Sequence, residues 1–248
     1  MILALFAVQA CDDGAAAIPG SRYNTPKEWP VATDESDLST PPLFSPVVES
    51  AIRLAAQGHY HHFRKRDDLG DDPAVAEDPL PEDRVPYITH LMGTMCILAR
   101  LGVPDEVLAA AVLHDYLEDV PDPNGRQRIR EIAGNEVLEL VLAVTEDKRP
   151  GRDRGETWEI RKREQLDKFE TMPQHAVLIK CADVLHNLRS LEKDLAEAGD
   201  EDKVWERFNS DRDRQLWYFS SIHRTARERL GRHPLVNELE STISRLRR

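Results

Sequence analysis

Residues 107–119 read VLAAAVLHDYLED. An unbroken apolar run, Val107 to Leu113, leads into His114-Asp115, and Glu118-Asp119 follow one helical turn later. The run predicts a buried helix that starts near Pro104 and carries the His-Asp pair inside it. Burying a histidine beside an aspartate is costly unless something compensates them. A divalent cation compensates both. Asp115, Glu118 and Asp119 fall on one edge of such a helix, where three carboxylates repel one another without a cation.

The sequence on either side reads as helix. Ser45-Pro46 is a start signal, a capping residue followed by proline at the first helical position, and a helix over Val47–Phe63 is expected after it. Further helices are expected over Thr89–Leu101, closed by Gly102, and over Arg126–Ala133, Glu136–Val144 and Thr157–Thr171, the last stopped by Pro173. A long helix over His175–Ala198 carries an apolar stripe of helical period: Leu178, Ala182, Leu185, Leu188 or Leu191, and Leu195. Two more helices, Trp205–Leu230 and Pro234–Leu246, are expected after it. No alternating strand, internal repeat or glycine-rich phosphate loop is evident, so the fold class is all-α.

The whole chain has 248 residues and a net charge of −12. That length buries a core without disulfides, and that charge argues against a protein that coats DNA or RNA through a basic face. A small basic pocket for a phosphate ligand stays compatible with it. Cys11, Cys96 and Cys181 are too scattered for a disulfide framework, so a reducing, cytoplasmic location is the expectation; Cys96 and Cys181 read as small core residues. No apolar run reaches the roughly 18–20 residues of a membrane span. The apolar start, MILALFAVQAC, lacks the basic residues of an export signal, and whether it is processed is left open. Residues 1–43 read as an irregular, proline-rich arm, 44–200 as the main domain, and 201–248 as a helical extension packed on it. Within the domain, residues 67–83 hold eight acids and no lysine or arginine, a pattern that reads as a solvated insertion. His59, His61 and His62 read as a surface cluster, Arg161-Lys162-Arg163 as a solvated helix face, and Trp205, Trp217 and Tyr218 as core packing of the last helices.

The chemistry gathers in three motifs. PYITH places His90 at a helix start, and KCADVLHN places Asp183 and Asn187 one turn apart on the long helix. With His114 and Asp115, these make a set of two imidazoles and two carboxylates on three helices. Such ligands suit Mn²⁺, Fe or Zn²⁺. A His-Asp dipeptide alone is weak; with a preceding histidine, a following Glu-Asp pair and a distant AD-x-x-HN it is a strong set. Together with Arg64-Lys65 and the run through Arg189-Ser190, these residues resemble the HD-domain metal-dependent phosphohydrolases. The closest resemblance is to the hydrolase domain of the RelA/SpoT homologues and the small alarmone hydrolases, over residues 44–200.

The resemblance implies an HD-type helical bundle and Mn²⁺, or another divalent ion, held by His90, His114, Asp115 and Asp183. It implies hydrolysis of the 3′-pyrophosphate of guanosine tetra- or pentaphosphate, the alarmones of the stringent response. Glu118 and Asp119 would orient and deprotonate the attacking water. Arg64, Lys65, Asn187 and Ser190 would form the substrate-binding end. The expected partner is a small nucleotide, with neither DNA nor a membrane. Self-association and a functional pairing with an alarmone synthetase or a toxin are left open, and no synthetase domain is expected within the 248 residues. Two departures fall at the nucleotide end: the acidic insertion between Lys65 and Pro86, and His61-His62 in place of the usual Gly-Gln. They keep two alternatives in view. One is the same chemistry on another nucleotide or on a pyrophosphorylated RNA end. The other is an alarmone-binding or antitoxin-like protein without turnover.

Overall fold

The computed structural model describes residues 43–64 and 85–248. The irregular arm, Cys11, Lys65 and the acidic insertion therefore lie outside the described residues. The elements are α1 (Pro46–Gly58), α2 (Ile88–Ala99), α3 (Asp105–Val112), α4 (Tyr116–Asp119), α5 (Gly125–Val144), α6 (Arg154–Thr171), α7 (Gln174–Glu197), α8 (Asp202–Trp205), α9 (Arg212–Leu230) and α10 (Pro234–Leu246). Among the described residues the one β pairing is a single bridge between Phe63 and Pro86.

α1 begins as its sequence dictates: the Ser45 hydroxyl accepts from the Val48 amide at 3.4 Å, and Pro46 occupies the first turn. It ends at Gly58, earlier than the expected Phe63. The backbone beyond it is engaged elsewhere, with Arg64 N–H donating to Val85 O and Tyr87 N–H donating to His62 O, both at 2.9 Å. Gly58 is required by close packing, since a Cβ there would lie 2.5 Å from the Tyr116 ring.

The main correction concerns VLAAAVLHDYLED. It is two helices, α3 and α4, with His114-Asp115 in the turn between them. The His114 ring donates from Nδ1 to the Ala111 carbonyl at 2.7 Å, the acceptor that a continuous helix would offer to the Asp115 amide. The next amide, Tyr116 N–H, closes a tighter turn onto Leu113 O at 3.0 Å. The dipeptide thus breaks the helix that its apolar prefix builds. The tail differs as well. The expected Trp205–Leu230 helix is interrupted between α8 and α9, and Asp211 caps the new start by accepting from Arg214 N–H at 2.8 Å. In α5 the two expected pieces meet at Gly134, whose φ of 88° only glycine adopts readily.

α7 is the axis of the core. It packs against α2, α3, α5, α9 and α10, and its stripe residues Leu178, Ala182, Leu185, Leu188 and Leu191 are all buried, with Leu195 half-buried. Four readings of individual side chains change. Cys96 is exposed, whereas Cys181 is buried. Trp217 is partly exposed and stands under Arg163, while Trp205 and Tyr218 are buried. His59 is buried and stacked on Tyr87, with ring centroids 5.1 Å apart, so the histidine cluster is not wholly superficial. Arg161 is buried and Lys162 half-buried, so only Arg163 of that run is a solvated residue. No helix among the described residues is long and apolar enough to cross a membrane.

Leu188, wholly buried on the α7 stripe, is expected to lose about 2–5 kcal/mol of stability on truncation to alanine. The half-buried Leu195 should lose clearly less. Urea unfolding of Leu188→Ala and Leu195→Ala measures both.

Candidate metal centre

Three elements converge on one point. α2 brings His90 in its first turn, the α3–α4 break brings His114 and Asp115, and the middle of α7 brings Asp183. His90, His114 and Asp115 each offer a ligand atom, all within 4.8 Å of one another. Asp183 reaches both rings: its Oδ1 lies 3.2 Å from His90 Nε2 and 3.8 Å from His114 Nε2. Asp115 Oδ2 lies 3.1 Å from His114 Nε2 and 3.8 Å from His90 Nε2. Both rings are buried.

Hydrogen bonding fixes which nitrogen faces this point. A carbonyl only accepts, so the Ala111 contact places a proton on His114 Nδ1. His114 Nε2 is then a buried lone pair facing two carboxylate oxygens, Asp115 Oδ2 at 3.1 Å and Asp183 Oδ1 at 3.8 Å. Lone pair against lone pair is repulsive, and a cation between them resolves it. Burial works against the imidazolium, but the charge and hydrogen bond of Asp115, with Asp183 behind, lift His114 to about 9. Asp115 is held well below the usual carboxylate range despite burial, chiefly by His114. These donors and their spacing fit a divalent ion of the imidazole-and-carboxylate type.

A supporting shell surrounds the set. His90 Nδ1 lies 2.9 Å from His186 Nδ1, so one ring donates and the other accepts; His90 is the donor when its Nε2 lone pair serves as a ligand. His186 fits the accepting role, because burial and His90 lower it to about 4 and keep it neutral. Its ring occupies the space over Gly93, where a Cβ would lie 2.2 Å from His186 Nε2. Tyr87 donates to Asp115 Oδ2 at 2.5 Å. Lys180 donates to Asp183 Oδ2 at 2.8 Å and Asn187 to Asp183 Oδ1 at 2.7 Å.

The centre opens into a cavity of about 960 Å³. Glu118 lines it. Its Oε1 accepts from the Glu146 amide at 2.7 Å, and burial, followed by the Asp115 charge, raises its carboxyl to about 7. Asp119 pairs with Lys148, which also stands 3.4 Å from Glu118 Oε2. Lys148 therefore ties the acidic pair together, with Glu118 on the cavity wall. Arg64, Asn187 and Ser190 line the cavity too, and Arg64 donates to Asn187 Oδ1 at 3.1 Å. Lys65 lies outside the described residues. Sequence reasoning missed Tyr87, Lys148, Lys180 and His186. Tyr87, Lys180 and His186 sit within the motifs already quoted, three residues from His90 or Asp183, so helical spacing alone could have found them. Lys148 belongs to a separate segment that only the fold brings near.

The chain matches the family described as the HD domain over residues 73–210. It is 33% identical over 165 residues to the Xenopus tropicalis guanosine-3′,5′-bis(diphosphate) 3′-pyrophosphohydrolase MESH1, covering 65% of this chain and 79% of that protein. It is 38% identical over 113 residues to the bifunctional (p)ppGpp synthase/hydrolase SpoT of Escherichia coli, covering 43% of this chain. The match spans only 15% of the length of that bacterial relative. Among solved structures, a metazoan orthologue of SpoT superimposes with a TM-score of 0.60 at 24% identity, covering 83% of this chain and 98% of that one. A Listeria monocytogenes protein does so with a TM-score of 0.54 at 29% identity, covering 65% of this chain and 95% of that one.

Asp115→Ala is expected to lose the bound divalent ion, read as metal per chain by elemental analysis, while circular dichroism stays helical. Gly93→Ala keeps every ligand but displaces His186, and titration should show metal affinity weakened by about 10–100-fold.

Proposed function

Because the chain belongs to the HD domain family, we propose that it is a metal-dependent phosphohydrolase of guanosine 3′,5′-bis(diphosphate) and its pentaphosphate form. It would release pyrophosphate from the 3′ position and leave GDP or GTP. The observation that carries this reading is the charge of the cavity. Seven lysines and arginines line it against five acidic residues, in a protein whose net charge is −12. Two of those acids, Asp115 and Asp183, belong to the metal set. With a divalent ion in place, the cavity is a strongly positive enclosure suited to a polyphosphate.

His90, His114, Asp115 and Asp183 are the proposed ligands, and Mn²⁺ is the proposed ion. The ion would supply Lewis acidity and offset charge on the transferring phosphoryl group. Glu118 is the proposed general base. A carboxyl poised near 7 can both take a proton from water and give it up again. Asp119 acts through Lys148, holding the ammonium that steadies Glu118. Arg64, with Asn187 and Ser190 beside it, is proposed to receive the nucleotide, and Lys65 joins them on the family resemblance.

The test mixes the Mn²⁺-loaded protein with guanosine tetraphosphate and resolves products by anion exchange. GDP and pyrophosphate are expected, and should vanish with chelator or in Asp115→Ala. Folded, metal-loaded protein that leaves the nucleotide intact would overturn the reading. Glu118→Gln should retain the metal and lower kcat by about 10²–10⁴-fold.

A further inference from the structure

Two ammonium groups on the cavity wall have been given no role toward the substrate in that reaction. Lys162 of α6 and Lys180 of α7 both line the cavity, with side chains only 18% and 12% exposed. Lys180 donates to Asp183 Oδ2 at 2.8 Å. Lys162 donates to Glu146 Oε2 at 2.7 Å and stands 5.0 Å above the centre of the Tyr218 ring. An ammonium has three N–H groups, so each lysine has donors with no partner among the described residues. The two charges also oppose one another: burial lowers Lys162, and Lys180 lowers it further against the pull of Glu146. Desolvating two like charges on one wall is a poor way to stabilise a fold, which apolar residues would do better. It is a good way to receive an anion with oxygens to spare.

The position narrows which anion. Asp183 divides its two oxygens: Oδ1 faces His90 and Asn187, the side on which Arg64 stands, and Oδ2 faces Lys180. Along α7, Lys180 therefore flanks Asp183 one turn toward the N-terminus, while Asn187, with Arg64, flanks it one turn toward the C-terminus. We propose that Lys162 and Lys180 form the subsite for the terminal phosphate of the 3′-pyrophosphate, the phosphate beyond the one attacked. The proposal rests on the hydrolase reading. In that reaction the water oxygen bonds to the inner phosphorus, and the bond from that phosphorus to the 3′ ribose oxygen breaks, its electron pair staying on the ribose oxygen. One water proton ends on that oxygen and the other on the pyrophosphate that leaves. A leaving group of two linked phosphates carries charged oxygens beyond the phosphorus attacked, and a cationic anchor on that side would hold them.

The test uses the full, Mn²⁺-loaded chain and two probes, inorganic pyrophosphate and orthophosphate, with binding read by calorimetry. Wild type should prefer pyrophosphate. Lys162→Met should weaken pyrophosphate binding by about tenfold or more and orthophosphate binding by far less, and Lys162→Arg should keep the preference. Should Lys162→Met lose helicity by circular dichroism, Lys162→Gln takes its place. Equal losses for the two anions, or no loss for either, would overturn the subsite. Guanosine tetraphosphate turnover by wild type judges the hydrolase reading separately. If it fails while the pyrophosphate preference holds and collapses in Lys162→Met, the subsite stands and the nucleotide assignment falls.

Discussion

A neutral imidazole has one N–H, and His114 gives it to the carbonyl of Ala111. Much of the molecule is arranged around that bond. It breaks the helix between α3 and α4, so that Asp115 turns toward the site instead of lying along a helical edge. It also turns the other nitrogen toward two carboxylates, a place suited to positive charge. Because that place is buried, the elements that line it must arrive in register: α2 with His90, the break with Asp115, α7 with Asp183. Tyr87, His186, Lys180 and Asn187 then hold three of these side chains, one hydrogen bond with each partner.

α7 joins packing to chemistry within one helix. Its apolar stripe makes it the axis of the core, and Asp183 and Asn187, four residues apart, share a side that meets the cavity. The placement of Asp183 is therefore tied to core packing, since the helix cannot slide without moving both. The neighbouring α6 contributes on its own account, bringing Arg161 and Lys162 inward to Glu146 through the least apolar sequence among the long helices.

The all-α class and most helix positions were legible because apolar period, proline and glycine speak locally. Pro46, Gly102 and Pro234 each mark a boundary that the structure keeps. The cluster of His90, His114, Asp115 and Asp183 was legible for a different reason: histidines and aspartates inside apolar runs are conspicuous. What escaped was non-local. Nothing within VLAAAVLHDYLED announces that a side chain will take its own helix's carbonyl. The charged face of α6 looks solvated until Glu146 is folded against it. Cys96 and Trp217 were misjudged because residue type alone says little about which side of a helix a chain will cover. The contact of Arg64 with Asn187 was the least legible, since it spans 123 positions of sequence.

The pairing of residues 62–64 with 85–87 carries an evolutionary consequence. Two backbone hydrogen bonds of 2.9 Å clamp the chain where it leaves Arg64 and where it re-enters at Val85. Closing a longer chain between fixed ends costs only about 0.6 kcal/mol for each doubling of its length. With both ends tied, the scaffold feels little of how many residues join them, and Arg64 keeps its place on the cavity wall. The clamp thus separates the length of the joining chain, free to drift between lineages, from the position of Arg64, which is fixed by its own backbone.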